Sequence, residues 1–178
     1  VEGKGIGYHP EHQVTAVDAA QKRLTFGNGS TADFDLLAFV PPHRAPEVVR
    51  DSGLLAQSGW IATDRTTLQT KFPGVYALGD VVSLPLAMGK PLPKAGVFAH
   101  GQAEVVAHNI AAELKGKPAD HRFDGKGECF VEVGGGKAGI IAGNFYAEPK
   151  PEMKFHEPGR KWHLAKIAFE KYFIRKMK

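Results

Sequence analysis

The sequence contains little cysteine and no long apolar run, and each absence excludes a class of protein. Its 178 residues include one cysteine, Cys129, so neither a disulfide framework nor a cysteine zinc cluster can form within the chain. The longest apolar run, residues 36–40, is far shorter than the roughly 20 residues that span a bilayer. No apolar stretch follows Val1, so we expect no signal peptide. A globular protein is the remaining class.

The composition and the charge distribution indicate the fold class and the kind of partner of this globular protein. The chain is 43% apolar and 24% charged, which excludes a disordered protein, and its 21 glycines and 12 prolines favour an α/β or β-rich fold over a helical bundle. After Pro158 there are seven basic residues and one acidic residue, so the net charge of +4 comes from this tail. Such a local patch predicts an anionic partner such as a lipid surface, and no nucleic acid.

Turn residues and apolar patterns predict the secondary structure of the first two thirds of the chain. Asn28-Gly29 predicts the turn of a hairpin in a small β-meander. Residues 36–40 are apolar without alternation, which predicts a strand covered on both faces. Two short strands are predicted at 60–62 and 75–78. A helix is predicted from about residue 93 to 115, with its apolar stripe at Ala103, Val106, Ile110 and Leu114.

The last third predicts a β-hairpin followed by a helix. Residues 128–133 alternate, Gly134 to Gly136 make a turn, and residues 138–145 return. An extended linker with three prolines leads to a terminal helix from residue 161. The literal G-x-G-x-x-G at Gly134, Gly136 and Gly139 leads into a β-like segment and no helix, so we interpret it as a hairpin loop without a phosphate site.

The segment from Thr70 to Asp80 carries the strongest functional signal. A strand delivers Gly79, which has no side chain to block a ligand, and then Asp80, a carboxylate that can accept hydrogen bonds from sugar-alcohol hydroxyls. The N-terminus of the following helix offers free N–H groups to anionic oxygens. The segment resembles the second flavin-binding motif of the pyridine nucleotide-disulfide oxidoreductases. This resemblance implies that Asp80 binds the ribityl chain of FAD.

The start of the following helix resembles a segment that is found in two particular groups of flavoenzymes. Residues 94–102 are similar to the segment that lies against the flavin in sulfide:quinone oxidoreductases and, less closely, in type II NADH dehydrogenases. A lysine ammonium and a helix N-terminus at that place would stabilise negative charge on a reduced flavin, and Lys94 is the candidate for this role. The cofactor-binding residues implied in this way are Gly79, Asp80, Lys94, Ala95 and Gly96.

Cys129 is the second candidate catalytic residue besides Lys94. Strand alternation places Cys129 on one face and Phe130 on the other. A lone cysteine is often only a small apolar side chain. However, its position resembles that of the carboxy-terminal redox cysteine of sulfide:quinone oxidoreductases, which pairs there with an earlier cysteine to oxidise sulfide or polysulfide. The same resemblance implies that Phe130, Lys166 and Phe169 contact the quinone.

The residue pattern of the terminal helix predicts contact with a membrane. Its aromatic residues form one stripe, and lysines flank it. A helix of this kind lies in the membrane surface, as in a peripheral protein of a prokaryotic cytoplasmic membrane, with its side unassigned. The alternative is a helix packed on its own domain. The stripe consists of Trp162, Ala165, Phe169, Tyr172 and Phe173, and the flanking lysines are Lys161, Lys166 and Lys176.

The resemblance covers nearly the whole chain and defines the expected fold. It implies part of a Rossmann-like flavoprotein with two dinucleotide-binding domains, a β-meander, and a C-terminal hairpin with an amphipathic helix. Residues 1–59 correspond to the NAD-type domain, 60–116 to the FAD domain and 117–178 to the quinone and membrane region. The first FAD motif is absent, so we expect an N-terminal half outside this sequence, and an inactive chain with little or no FAD without it.

The sequence leaves two other functions open. A type II NADH dehydrogenase relative would reduce quinone without cysteine chemistry, and a membrane-binding module would catalyse nothing. We expect no metal site, since His9 and His12 have no carboxylate or cysteine cluster beside them. The oligomeric state is open between a monomer and a homo-oligomer.

Overall fold

The computed structural model describes residues 2–177, and the chain divides into two compact units, Val1–His43 and Arg44–Lys178. The first unit contains an antiparallel sheet in the order β1 (Val14–Asp18), β2 (Arg23–Phe26) and β3 (Thr31–Asp33). The predicted β-meander is therefore confirmed.

The turn between β2 and β3 forms at the predicted Asn28-Gly29 pair. Gly29 has a φ of 83°, in the left-handed region that favours glycine. Asn28 does not, and instead its side-chain Oδ1 accepts hydrogen bonds from the N–H and the hydroxyl of Ser30, at 3.0 and 2.6 Å. An asparagine that closes the turn with its own side chain explains why this pair suits a hairpin.

The predicted buried strand at residues 36–40 is wrong. Leu36 and Val40 are 88% and 77% exposed, and the segment has no strand. A strand covered on both faces needs paired neighbours and two covering layers. Residues 2–177 provide neither at this segment.

Within the described residues, the second unit contains the hydrophobic core, three α-helices and a second sheet. The helices are α1 (Glu47–Asp51), α2 (Gly96–Glu113) and α3 (Arg160–Lys176). The antiparallel sheet has the order β4 (Lys126–Gly134), β5 (Lys137–Asn144) and β6 (Glu152–Gly159). The hairpin is confirmed, and a third strand replaces most of the predicted linker. Together the two units have the mixed α/β architecture that the sequence predicts.

Two predictions about the core are wrong in detail. The expected strands at 60–62 and 75–78 reduce to isolated bridges, in which Ile61 pairs with Val82 and Gln69 with Tyr76. The predicted stripe of α2 is confirmed at Val106, which is 6% exposed, and wrong at Ile110 and Leu114, which are 39% and 84% exposed. The face that is buried instead includes two polar side chains. Its residues are Phe98, Gln102, Val105, Val106, Asn109 and Ala112.

Candidate functional site

A tight turn at Gly79 and Asp80 lies against α2. This 3-10 turn, Gly79–Val81, begins with Gly79 at a φ of 73°. A Cβ at Gly79 would lie 3.4 Å from the Cβ of Ala99, so the backbone packs closely on the helix. The Gly79 N–H donates to Oε1 of Gln102 at 2.7 Å, and Gln102 is 2% exposed. This buried hydrogen bond holds the turn beside the start of α2.

The Asp80 carboxylate is left available by this arrangement. Asp80 is exposed, and among residues 2–177 its carboxylate makes no hydrogen bond, although the charge of Lys94 attracts it. The turn therefore presents a free hydrogen-bond acceptor next to a position without a side chain. This is the chemistry that binding a polyhydroxyl chain requires.

Lys94 ties the turn to the segment that precedes α2. Its ammonium donates to the backbone oxygen of Asp80 and, at 3.0 Å, to that of Val82, and it lies 3.5 Å from the ring centroid of Trp60. Burial lowers the pKa of Lys94 below its ordinary value, and the Asp80 carboxylate opposes this shift. Lys94 is thus a half-buried cation with three partners in this chain.

The N-terminus of α2 is open. Ala95, the residue that precedes the helix, has an extended backbone and gives no side-chain cap. Gly96 is exposed, and a Cβ placed on it would meet nothing within 4 Å. The first N–H groups of a helix have no partner inside the helix, and they carry a partial positive charge. This end of α2 can therefore accept an anionic oxygen.

Strand β4 turns Cys129 and Phe130 in opposite directions. A Cβ on Gly127 would lie 2.4 Å from Cε1 of Phe98, so the Gly127 side of the strand faces α2. The pairing with β5 is regular from Lys126 to Glu132, so Cys129, two residues after Gly127, shares that side. Cys129 is free and exposed.

The opposite side of β4 contacts α3 through aromatic rings. Phe130 and Phe169 have ring centroids 6.1 Å apart, and Phe169 and Phe173 are 5.8 Å apart. Phe173 also contacts His100 of α2, with a centroid distance of 6.1 Å. We call Phe130, Phe169 and Phe173 the aromatic face. It includes large apolar surface that stays exposed, since Phe169 is 53% exposed.

A carboxylate with two basic partners lies on the same side of β4. Oε1 of Glu132 is 3.0 Å from Nδ1 of His163 and 3.6 Å from Nζ of Lys166, and both partners come from α3. The hydrogen bond from His163, with the charges of His163 and Lys166, holds the pKa of Glu132 below its usual value. These contacts fix Lys166 beside the aromatic face.

An open groove of about 460 Å³ lies next to the N-terminus of α2. Val97 forms one wall, and the ends of β4, β5 and β6 form the other. The charged residues along it are of both signs, Lys126, Glu128, Glu152 and Lys154. The groove is large enough to admit a ring-sized molecule beside the helix start.

Comparison with known families shows which protein family the chain belongs to. The sequence profile of the pyridine nucleotide-disulphide oxidoreductases matches residues 1–107, more than half of the chain. The chain belongs to this family. Within the family, it is 34% identical over 138 residues to the mitochondrial sulfide:quinone oxidoreductase of Schizosaccharomyces pombe, covering 77% of this chain. It is 26% identical over 162 residues to the sulfide-quinone reductase of Aquifex aeolicus, covering 85% of this chain.

A solved structure has the same fold as this chain. The sulfide:quinone oxidoreductase from Aquifex aeolicus aligns with 98% of the chain at a TM-score of 0.80 and 23% identity. The chain spans 28% of the length of the Schizosaccharomyces pombe relative and 36% of that of the Aquifex aeolicus relative. At this identity the structural match shows the fold alone.

The structure of this family member gathers the predicted site residues into two groups. Gly79, Asp80 and Lys94 lie together with the start of α2, where Ala95 and Gly96 are found. Phe130, Lys166 and Phe169 lie together on the α3 side of β4. Cys129 is on the α2 side of the same strand. The roles that the resemblance implies for these residues stay predictions.

Sequence reasoning missed the residues that hold these groups in place. Gln102 and Asn109 are polar residues on the buried face of α2, and their spacing of seven is the signal that could have found them. Glu132 and His163 are 31 residues apart, and no local pattern joins them.

Proposed function

We propose that this chain forms the carboxy-terminal part of an FAD-dependent sulfide:quinone oxidoreductase. The observation that carries the proposal is the free Asp80 carboxylate, held by the Gly79–Gln102 hydrogen bond beside the open N-terminus of α2. The 34% identity to a sulfide:quinone oxidoreductase supports the narrower assignment within the family.

The residues at the turn fit an FAD molecule. Asp80 would accept hydrogen bonds from ribityl hydroxyls, and the backbone at Gly79 leaves room for the chain. Ala95 and Gly96 would offer backbone N–H groups to the oxygens on the pyrimidine side of the flavin, and the Lys94 ammonium would add positive charge. Bound FAD would supply the two-electron carrier between sulfide and quinone.

Cys129 would act on sulfide from the α2 side of β4. Cys129 is the one cysteine of the chain, and with a second cysteine it would form a disulfide. Sulfide would attack this disulfide, breaking the S–S bond to leave a persulfide on one cysteine and a thiolate on the other. When the persulfide and the thiolate join as a trisulfide, two electrons would leave the sulfur atoms. That second cysteine would come from sequence outside residues 1–178. Oxidation of sulfide releases two electrons, and quinone takes them up with two protons to become quinol.

The aromatic face would receive the quinone ring. Phe130 and Phe169 contact each other, with ring centroids 6.1 Å apart, and together they would offer one apolar surface to a flat ring. Lys166 would donate to a quinone carbonyl oxygen from its position next to Glu132. The two sides of β4 would therefore separate the sulfur reaction from the quinone.

The flavin contact is tested by substitution of Asp80 in the whole enzyme. We expect Asp80→Ala to reduce FAD retained after gel filtration about tenfold or more, because a charged hydrogen-bond acceptor is lost. Asp51→Ala, which removes another exposed carboxylate, is the control. FAD absorbance per protein measures the result. Full retention in Asp80→Ala would overturn the flavin assignment.

The cysteine chemistry is tested by Cys129→Ser, which keeps the size of the side chain but removes its redox chemistry. We expect sulfide-dependent reduction of a soluble quinone to be lost and FAD content to be kept. Undiminished sulfide oxidation would exclude the mechanism. Quinone reduction driven by NADH in both proteins would identify a type II NADH dehydrogenase instead.

Contact with a membrane would come from the outward side of α3. The sequence predicts that the aromatic stripe meets lipid, but Phe169 and Phe173 contact Phe130 and His100. The side turned away from the sheet combines the exposed Leu164 and Tyr172 with basic residues, the pattern of a helix that lies on an anionic lipid surface. Those basic residues are Lys161, Lys171 and Arg175. None of the helices within residues 2–177 has both the length and the apolar character that spanning a bilayer requires.

A further inference from the structure

A cluster of two histidines and one aspartate lies at the far end of α2, outside the residues assigned above. One ligand atom each from His108, Asp120 and His121 lies within 4.8 Å of the others, and all three residues are exposed. The imidazole rings of His108 and His121 are stacked, with centroids 3.3 Å apart and an angle of 4° between their planes. His108 belongs to α2, whereas the other two belong to the connection between α2 and β4.

A buried side chain fixes the position of this connection. Asn109 is fully buried, and its amide makes two hydrogen bonds of 3.1 Å with the backbone of His121, one to the oxygen and one from the N–H. Arg122 also donates to the backbone oxygens of Ala119 and His121, at 2.7 and 2.8 Å. Because the backbone of this connection is held by these hydrogen bonds, ion binding would order the ligand side chains but would cost little backbone freedom.

We propose that His108, Asp120 and His121 bind one divalent transition-metal ion such as Zn²⁺. Two imidazole nitrogens and a carboxylate oxygen are ligands that Zn²⁺ accepts in four-coordinate sites, with a water in the fourth position. The lone pair of an imidazole nitrogen lies in the ring plane, so the two stacked rings would turn out of their parallel arrangement to direct one nitrogen each at the ion. The negative charge of Asp120 favours the cation, and the Arg122 guanidinium is directed to backbone oxygens.

The bound ion would join α2 to the start of the second sheet. The three ligands come from two separate segments of the chain, so the ion binds the folded state better than the unfolded state and stabilises it. This site needs neither FAD nor the quinone, and its failure would leave the proposed oxidoreductase function untouched.

The test is Zn²⁺ binding by the whole protein, freed of metal and without an affinity tag. We expect isothermal titration calorimetry to show one Zn²⁺ ion lost from the stoichiometry, or bound about tenfold or more weakly, in His108→Ala, Asp120→Asn and His121→Ala. The matched control is the double variant His9→Ala with His12→Ala, since these histidines also have rings in contact, 5.5 Å apart, but have no carboxylate in such a cluster. It should bind Zn²⁺ like the original protein.

A second measurement separates ligation from a loss of fold. Zn²⁺ should raise the melting temperature of the original protein and of the control, and it should not raise that of the three variants. The same Zn²⁺ affinity and the same melting shift in His108→Ala and Asp120→Asn would overturn the proposal. So would an equal loss in the control, because the ion would then bind exposed histidines without selection.

Discussion

The helices α2 and α3 have nearly the same length, 18 and 17 residues, but they are used in different ways. Helix α2 buries six side chains, and two of these, Gln102 and Asn109, hold loops through hydrogen bonds. Helix α3 has no buried residue and contacts the second sheet through rings and one carboxylate. In this chain, therefore, α2 is the support on which the candidate flavin site is built, and α3 is a covering element with a free outer side.

The largest expected effect compares a phenylalanine on each helix. Phe98 of α2 is 4% exposed and packs on Phe123 and Phe145, whereas Phe169 of α3 is 53% exposed. We expect Phe98→Ala to lower the free energy of unfolding by about 3–5 kcal/mol and Phe169→Ala by less than about 1 kcal/mol. Urea unfolding followed by circular dichroism measures both. Equal losses would show that α3 is as much a part of the core as α2.

A smaller effect is expected from the hydrogen bond between α2 and the Gly79 turn. Gln102→Leu keeps most of the volume but leaves the Gly79 N–H without its partner, so we expect a loss of about 1–3 kcal/mol. Glu104→Gln, on the exposed side of the same helix, should change stability by no more than about 0.5 kcal/mol.

Gln102→Leu also tests whether α2 supports the candidate flavin site. If the turn depends on Gln102, the whole enzyme with Gln102→Leu should lose FAD on gel filtration even at temperatures where it stays folded. Normal retention of FAD would mean that Lys94 alone holds the turn in place, through its bonds to the oxygens of Asp80 and Val82.

The free side of α3 is tested with vesicles. An exposed lysine near an anionic membrane contributes about 1 kcal/mol to binding, so we expect Lys171→Glu to weaken binding to phosphatidylserine vesicles about fivefold or more. Lys115→Glu, an exposed lysine just after α2, is the control and should bind as before. Sedimentation with vesicles measures both. Equal weakening would indicate a general charge effect and no specific role for α3.

Some elements of the fold could be predicted from local sequence signals and others could not. The hairpin β4–β5 was predictable because its signals are local: an alternating segment, three glycines, and a β-like segment that returns. The structure gives all three glycines a left-handed φ. The buried face of α2 was not predictable from apolar spacing, because Gln102 and Asn109 occupy two of its positions. The spacing of seven places Gln102 and Asn109 on one face of the helix, but their burial follows from their partners Gly79 and His121, which the spacing does not identify.

The candidate site residues also differ in whether a local sequence signal reveals them. Gly79 and Asp80 could be found because they are adjacent in sequence and follow a strand-like segment. His108 and His121 are 13 residues apart, and only the return of the chain after α2 stacks their rings, so the sequence predicted no metal site there. The strand expected at residues 36–40 failed for a similar reason, since burial depends on neighbours that a local apolar pattern does not specify.

The smallest effect concerns the carboxylate that fixes α3 to the sheet. The pKa of Glu132 lies below its ordinary value of 4.5 in the folded chain, chiefly because of the hydrogen bond from His163. The carboxylate therefore stabilises the docked helix fully above pH 4.5, and this contribution is lost as the pH falls through the lowered value. Trp162 fluorescence in a Trp60→Phe background should report a loosening of α3 in this acidic range. Glu132→Gln should show the loosened signal at neutral pH, with little further change on acidification, because its amide does not titrate; an acid transition that persists in Glu132→Gln would assign the docking to the rings of the aromatic face alone.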